Sequence, residues 1–280
     1  MARASSRPEA YPGEPLSSHL ALTAIVAEML YGERWRFAIE TLGCRSLEPL
    51  LPLSALLHDI GKPLVATRRG TYPGHESIGA ALVAEAAKRL LERGLLREAV
   101  LVALSAIPVK LHHHGMGPGR EEAWRAARPR HARINTEAAA DAVAEATGIY
   151  TRCSTRLGLR ASGEAVRLAN LVADELRRMH AAPRPEAYEA AWLLATDRRV
   201  RGCCCEAEAA SQRETASRLT SILTGFVSVA DAVAGGAGRE AALNPQRYYA
   251  RVLAEMTGHE EGRLARLWSR LLEARGCTHG

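Results

Sequence analysis

The chain is expected to be all-α, and three observations predict it. Ala, Leu, Glu and Arg dominate the composition, and they are good helix formers. Aromatic residues make up only 5% of the 280 residues while hydrophobic residues reach 47%, so a large core is available without the aromatic and β-branched bias of sheets. Apolar residues recur at three- and four-residue spacing in one segment after another. No internal repeat, Walker sequence or Rossmann glycine pattern is apparent.

Residues 1–16 read as a flexible lead-in. The start MARASSRPEAYPGEP is polar and proline-rich, so no signal peptide is expected there, and no apolar run approaches the ~18 residues of a membrane span. The expected location is cytoplasmic, with no membrane partner. The first helix starts near Ser17 and Ser18, two residues of the N-cap type, and buries Leu22, Ile25, Val26 and Met29. His19 lies in its first turn. Taken alone, it reads as a surface or capping histidine.

Pro49 and Pro52 precede the stretch LSALLHDIGKP, residues 53–63, around which the chain is organised. Leu53, Leu56, Leu57 and Ile60 mark the end of a buried helix, and Gly61 followed by Pro63 is a stop signal. His58 and Asp59 therefore sit at the inner end of an apolar helix, where a charge is costly unless compensated, and a metal ion is the usual compensation. Their other reading is a hydrogen-bonded core histidine beside a capping aspartate. Lys62 reads either as a surface lysine at a helix end or as a contact to substrate phosphate.

A polar loop ends in a Pro-Gly turn, and the amphipathic helix HESIGAALVAEAAKRLLERG follows, with His75 in its first turn. Residues 96–111 form an apolar helix that Pro108 kinks or ends, and it delivers His112, His113 and His114 in succession. Such a run inside a chain, between an apolar helix and a glycine-rich loop, favours ligation over a solvated tract, since histidine is the commonest metal ligand.

Residues 116–200 are expected to be a helical insertion. Its basic segment carries Arg120, Arg125 and Arg128, candidates for nucleic-acid contact, and a solvated face or a partner surface is the competing reading. Helices are predicted over 136–147, 164–180, 186–196 and 206–234. Asp231 lies in the apolar final part of the last of these, with no arginine within a helical turn, whereas the rivals Asp174 and Asp197 have arginines nearby. Two more helices follow from Asn244, in a C-terminal extension over 241–280.

The net charge of +6 is almost wholly arginine, since only Lys62, Lys88 and Lys110 are lysines, and this suits a phosphate-rich partner. The six cysteines form no CxxC pair, which argues against a zinc ribbon. The run Cys203–Cys205 reads as a turn with reduced thiols. A disulfide is the competing reading if the source is a hyperthermophile.

His19, His58–Asp59, His75, His113–His114 and Asp231 make the series H…HD…H…HH…D. With HDIGK, this series resembles the HD superfamily of metal-dependent phosphohydrolases. The stretches YPGHESIGAA, HHG at His113–Gly115 and LTGFVSVADAVAG are similar to the stand-alone HD nuclease subunit of type I CRISPR interference. The resemblance covers 17–115 and 218–240 and implies an HD nuclease domain over 17–240. It implies His19, His58, Asp59 and Asp231 on one metal, with His75, His113, His114 and bridging Asp59 on the other. His112 is then the spare member of the run.

The chemistry calls for such groups. Hydrolysis of a phosphodiester needs an activated water and neutralisation of the charged oxygens, and two cations ~3.5–4 Å apart supply both. Asp59 and Lys62 are the candidate catalytic residues. A mixed imidazole and carboxylate set suits manganese, nickel, cobalt or iron better than magnesium. The expected activity is a metal-dependent nuclease acting, as endonuclease or exonuclease, mainly on single-stranded DNA in antiviral defence. Its implied partners are a CRISPR helicase subunit and an RNA-guided surveillance complex. A hydrolase of small or cyclic nucleotides is the alternative, and a degenerate HD module without chemistry is the third reading.

Overall fold

The structure, a computed structural model, describes residues 8–11, 13–65, 72, 74–113, 136–179, 209–239 and 261–279. The expected all-α architecture is what it shows. The helices are α1 (Leu16–Thr41), α2 (Leu50–Leu57), α3 (Lys62–Val65), α4 (His75–Glu92), α5 (Leu96–Leu111), α6 (Thr136–Arg156), α7 (Gly163–Arg177), α8 (Ala209–Arg239) and α9 (Glu261–His279). A short antiparallel hairpin, β1 (Glu9–Tyr11) with β2 (Glu14–Pro15), precedes them. It occupies residues expected in the flexible lead-in. Gly13, at φ 79°, makes its turn, a conformation that costs glycine little.

The first half of α1 is buried all round, with every residue from Leu16 to Ala27 covered. A helix of that kind belongs at the centre of a bundle. Accordingly α1 packs against α2, α6 and α8, while α4 packs on α5 and α6 on α7. Every residue of α2 is buried as well. Together α1, α2, α5 and α8 enclose the region where the histidines converge.

Several boundaries differ from the sequence reading. The helix α1 starts one residue before Ser17 and has no side-chain cap; Ser18 Oγ instead donates to the Thr278 carbonyl, 2.9 Å away on α9. A tertiary bond has displaced a local one. Pro108 does not end α5, which continues to Leu111. The helix expected over 136–147 runs on to Arg156, because Ile149, Tyr150 and Cys153 extend its buried face. The arginines Arg120, Arg125 and Arg128, together with His114, Asp197, the run Cys203–Cys205 and the helix expected over 186–196, lie outside the described residues.

A disulfide joins Cys153 on α6 to Cys277 on α9, across 124 residues of sequence. Cys44 is also disulfide-bonded. Ion pairs tie the outer helices: buried Glu175 on α7 meets Arg178 at 2.7 Å and also Arg93, at the end of α4. Among the described residues, no helix is long and apolar enough to cross a membrane.

Candidate metal centre

Five elements deliver their chemistry to one buried point. His19 comes from the first turn of α1, while α2 ends at Leu57, so that His58, still in helical conformation, is its C-cap. Asp59 follows in the turn that leads to Lys62, the first residue of α3. His75 opens α4, behind Gly74 at φ 73°. His112 and His113 leave the C-terminal end of α5, and Asp231 projects from α8.

Gly61 makes this convergence possible. A Cβ there would stand 2.0 Å from the His75 carbonyl oxygen and 2.7 Å from the Gly79 nitrogen. The HD turn thus lies directly on the backbone of α4, and any side chain would force the two apart.

The first group of ligand atoms is nearly regular. His19 Nε2 lies 3.1 Å from Asp231 Oδ1, 3.3 Å from His58 Nε2 and 3.4 Å from Asp59 Oδ2. His58 Nε2 lies 3.3 Å from Asp59 Oδ2 and 3.4 Å from Asp231 Oδ1. Four donors at ~2.05 Å from a tetrahedral centre would be separated by about 3.3 Å. The five separations lie close to that spacing, so this group could hold a divalent transition metal.

The second group comprises Asp59, His75, His112 and His113. Asp59 Oδ1 lies 2.9 Å from His75 Nε2 and 3.5 Å from His112 Nε2. Asp59 thus turns one carboxylate oxygen to each group. His112, the spare member of the run in the sequence reading, stands inside this group beside His113. Asp174, the rival of Asp231, is exposed and pairs with Arg177 at 3.2 Å.

The tautomers suit metal binding. His58 Nδ1 donates to the Ala55 carbonyl at 2.8 Å, His75 Nδ1 to Tyr72 at 2.6 Å and His112 Nδ1 to Val109 at 2.7 Å. A carbonyl only accepts, so each Nδ1 carries the proton and each Nε2 offers a lone pair. The inward atoms His75 Nε2, His112 Nε2 and His113 Nδ1 are buried without a hydrogen-bond partner, as are both oxygens of Asp59. Orphaned buried polar atoms are costly, and a cation among them would satisfy them together.

The electrostatics carry the same message. Burial disfavours the ionised carboxyl of Asp59, but Lys62, His58 and His75 outweigh it and hold its pKa well below the usual range. Burial likewise opposes the ionisation of Asp231, and His19 and His58 reverse it. Burial disfavours the His58 imidazolium, yet Asp59 and Asp231 bring its pKa up to about 9. Burial and the neighbouring His112 drive that of His113 down to about 2. Lys62, itself 3% exposed, forms an ion pair with Asp59 Oδ2, and its ammonium lies 4.4 Å from the centre of the Tyr11 ring.

Residues 16–146 match the HD domain. The chain therefore contains an HD domain. That assignment indicates a metal-dependent phosphohydrolase, and the two His/Asp groups are where metal could be held. Comparison with curated proteins and with solved structures gave no match. The HD match ends before α7 and does not reach Asp231, which stands in the first group of ligand atoms. Sequence reasoning overlooked Tyr11 and Glu14, the hairpin residues that touch His19. The only signal for them was a glutamate placed just before the first helix.

Proposed function

We propose that the chain is a metal-dependent nuclease that hydrolyses phosphodiester bonds, mainly of single-stranded DNA, at a two-metal centre. The observation that carries this reading is the division of Asp59 between two ligand groups, with Oδ2 in one and Oδ1 in the other. A carboxylate so shared is what places two divalent cations close enough to act on one phosphate. His19, His58, Asp59 and Asp231 would hold one ion, and Asp59, His75, His112 and His113 the other; His114 lies outside the described residues.

Bound there, manganese, nickel, cobalt or iron would supply a Lewis acid and an activated water. The protein's own contribution is positional and electrostatic. The Nδ1 bonds to backbone carbonyls fix three imidazoles before any ion arrives. Lys62 pairs with Asp59 and keeps it ionised. No protein nucleophile is required.

The nucleic-acid substrate is supported by the net charge of +6 and by the sequence resemblance around His75, His113 and Asp231. The same resemblance supports a place in type I CRISPR interference in the cytoplasm. There a helicase subunit and an RNA-guided complex would present the strand. The test is cleavage of end-labelled single-stranded DNA with manganese, nickel, cobalt, magnesium or chelator, beside Asp59→Ala and a panel of nucleotides. Metal-dependent cutting that the variant lacks is expected. Cutting that survives in Asp59→Ala, or hydrolysis confined to mononucleotides, overturns the reading.

A further inference from the structure

Three of the site's histidines obtain their tautomer from the carbonyl three residues earlier. His58 and His112 are C-caps and His75 opens a helix, so each of these carbonyls stands at a helix end within reach of the ring. His19 cannot do the same. It lies inside α1, where the carbonyl of Leu16 is committed to the helix ladder. Its Nδ1 faces Glu14 Oε1 instead, at 3.5 Å. Both atoms are buried, and neither has a hydrogen-bond partner among the described residues. The Glu14 side chain is only 9% exposed. An ionisable carboxylate has been buried against the back of a ligand ring, in a hairpin whose turn is Gly13.

We infer that Glu14 is the positioning residue of His19: its carboxylate accepts the Nδ1 proton and holds Nε2 toward Asp59 and Asp231. A carboxylate in that role makes the imidazole a stronger donor than a carbonyl does, which sets the first group apart from the second. The far end of the chain closes on the same point. Ser18 Oγ donates to Thr278, His279 Nε2 lies 3.9 Å from Glu14 Oε1, and Cys277 is bound to Cys153. The hairpin and α9 thus clamp the glutamate from two sides. Tyr11 adds an edge-on contact to the His19 ring, with centroids 5.2 Å apart.

The inference rests on the proposed role of His19 as a metal ligand, and the experiment separates the two. Cobalt(II) is titrated into metal-free protein and followed by visible absorption, for the wild type, His19→Ala, Glu14→Ala and Glu14→Gln. Loss of one binding step in His19→Ala is expected; if both steps survive that change, the metal reading itself fails. Glu14→Ala should weaken the same step by about 10–100-fold and leave the other unchanged. Glu14→Gln, which keeps an acceptor oxygen but no charge, should lose several-fold and melt at the wild-type temperature. A merely structural role would lower the melting temperature and both steps together. Wild-type affinity in both Glu14 variants, with the His19→Ala loss intact, overturns the inference alone. Should the alanine variant not fold, the glutamine variant decides by the same criterion.

Discussion

Replacing Gly61 by alanine puts the packing of the site to a quantitative test. The new Cβ would stand 2.0 Å from the His75 carbonyl oxygen and 2.7 Å from the Gly79 nitrogen. Both are backbone atoms, so neither can rotate away. Reaching ordinary contact requires an opening of about 1.5 Å between the HD turn and α4. Asp59 rides on the turn and His75 on the helix. Their ligand atoms, now 2.9 Å apart, would separate to about 4.4 Å. Two donors at ~2.0–2.2 Å from one ion can span that distance only by lying on opposite sides of it. The second group should therefore lose most of its affinity. The first group takes His19, His58 and Asp231 from α1, α2 and α8 and shares only Asp59 with the displaced turn, so it should lose less affinity than the second. Overpacking of this kind costs about 1–3 kcal/mol, or several degrees of melting temperature in a chain of this size. Metal content after dialysis and a thermal melt measure both effects. A Gly61→Ala protein that melts as the wild type does and retains both ions would refute the reasoning.

Three further outcomes follow from the structure. Asp231→Ala should abolish metal-dependent hydrolysis, whereas Asp174→Ala, at an exposed position paired with Arg177, should leave its rate within a factor of two; equal rates in the two variants would contradict the ligand assignment. Burial lifts the Glu28 carboxyl from 4.5 to about 7. The folded protein then holds a proton that the unfolded chain has released. The stability due to that proton is present below pH 4.5 and lost as pH rises through about 7, at a cost of up to about 3 kcal/mol. Glu28→Gln should thus raise the urea midpoint at pH 8.5 and leave it unchanged at pH 4. The disulfide between Cys153 and Cys277 closes a separation of 124 residues, so Cys153→Ser should lower stability by at most about 5 kcal/mol, read as a drop in the denaturant midpoint without reductant.

Much of the site was legible because a charged residue in an apolar helix is an anomaly that sequence displays. His58, Asp59 and Asp231 announced themselves in that way, and His75 did so by opening a helix after a Pro-Gly turn. The helix over 96–111 was legible to the residue because its apolar spacing is uninterrupted. The orientation of the histidine run was not. Which imidazoles of His112, His113 and His114 point inward depends on where α5 ends and how the chain then turns, and no spacing rule carries that information. Glu14 was hidden for a different reason. A hairpin of five strand residues between prolines has almost no alternation to detect, and its partner His19 is fixed by a contact that only the folded chain makes. Ser18 shows the same competition, since its hydroxyl serves α9, 260 residues away, instead of capping its own helix. The pairing of Cys153 with Cys277 is equally non-local. Six cysteines without a metal spacing permit many pairings, and only the packing of α9 on α6 selects this one.

The buried charges also show what a bound cation would do for the fold. Asp59 and Asp231 are buried together, with Glu14 behind His19, while Lys62 provides a permanent positive charge beside Asp59. Without an ion, the remaining compensation must come from protonated imidazoles. In His58 the proton has to sit on Nε2, the atom that faces the carboxylates, because Nδ1 is already committed to Ala55. Proton and metal therefore compete for the same lone pair. A cation that displaces the proton carries more charge to the same point and satisfies several orphaned atoms at once, so binding must release protons and stabilise the fold in one event. A cation held by these groups would turn a costly burial into a stabilising one, and melting in metal against chelator measures that gain.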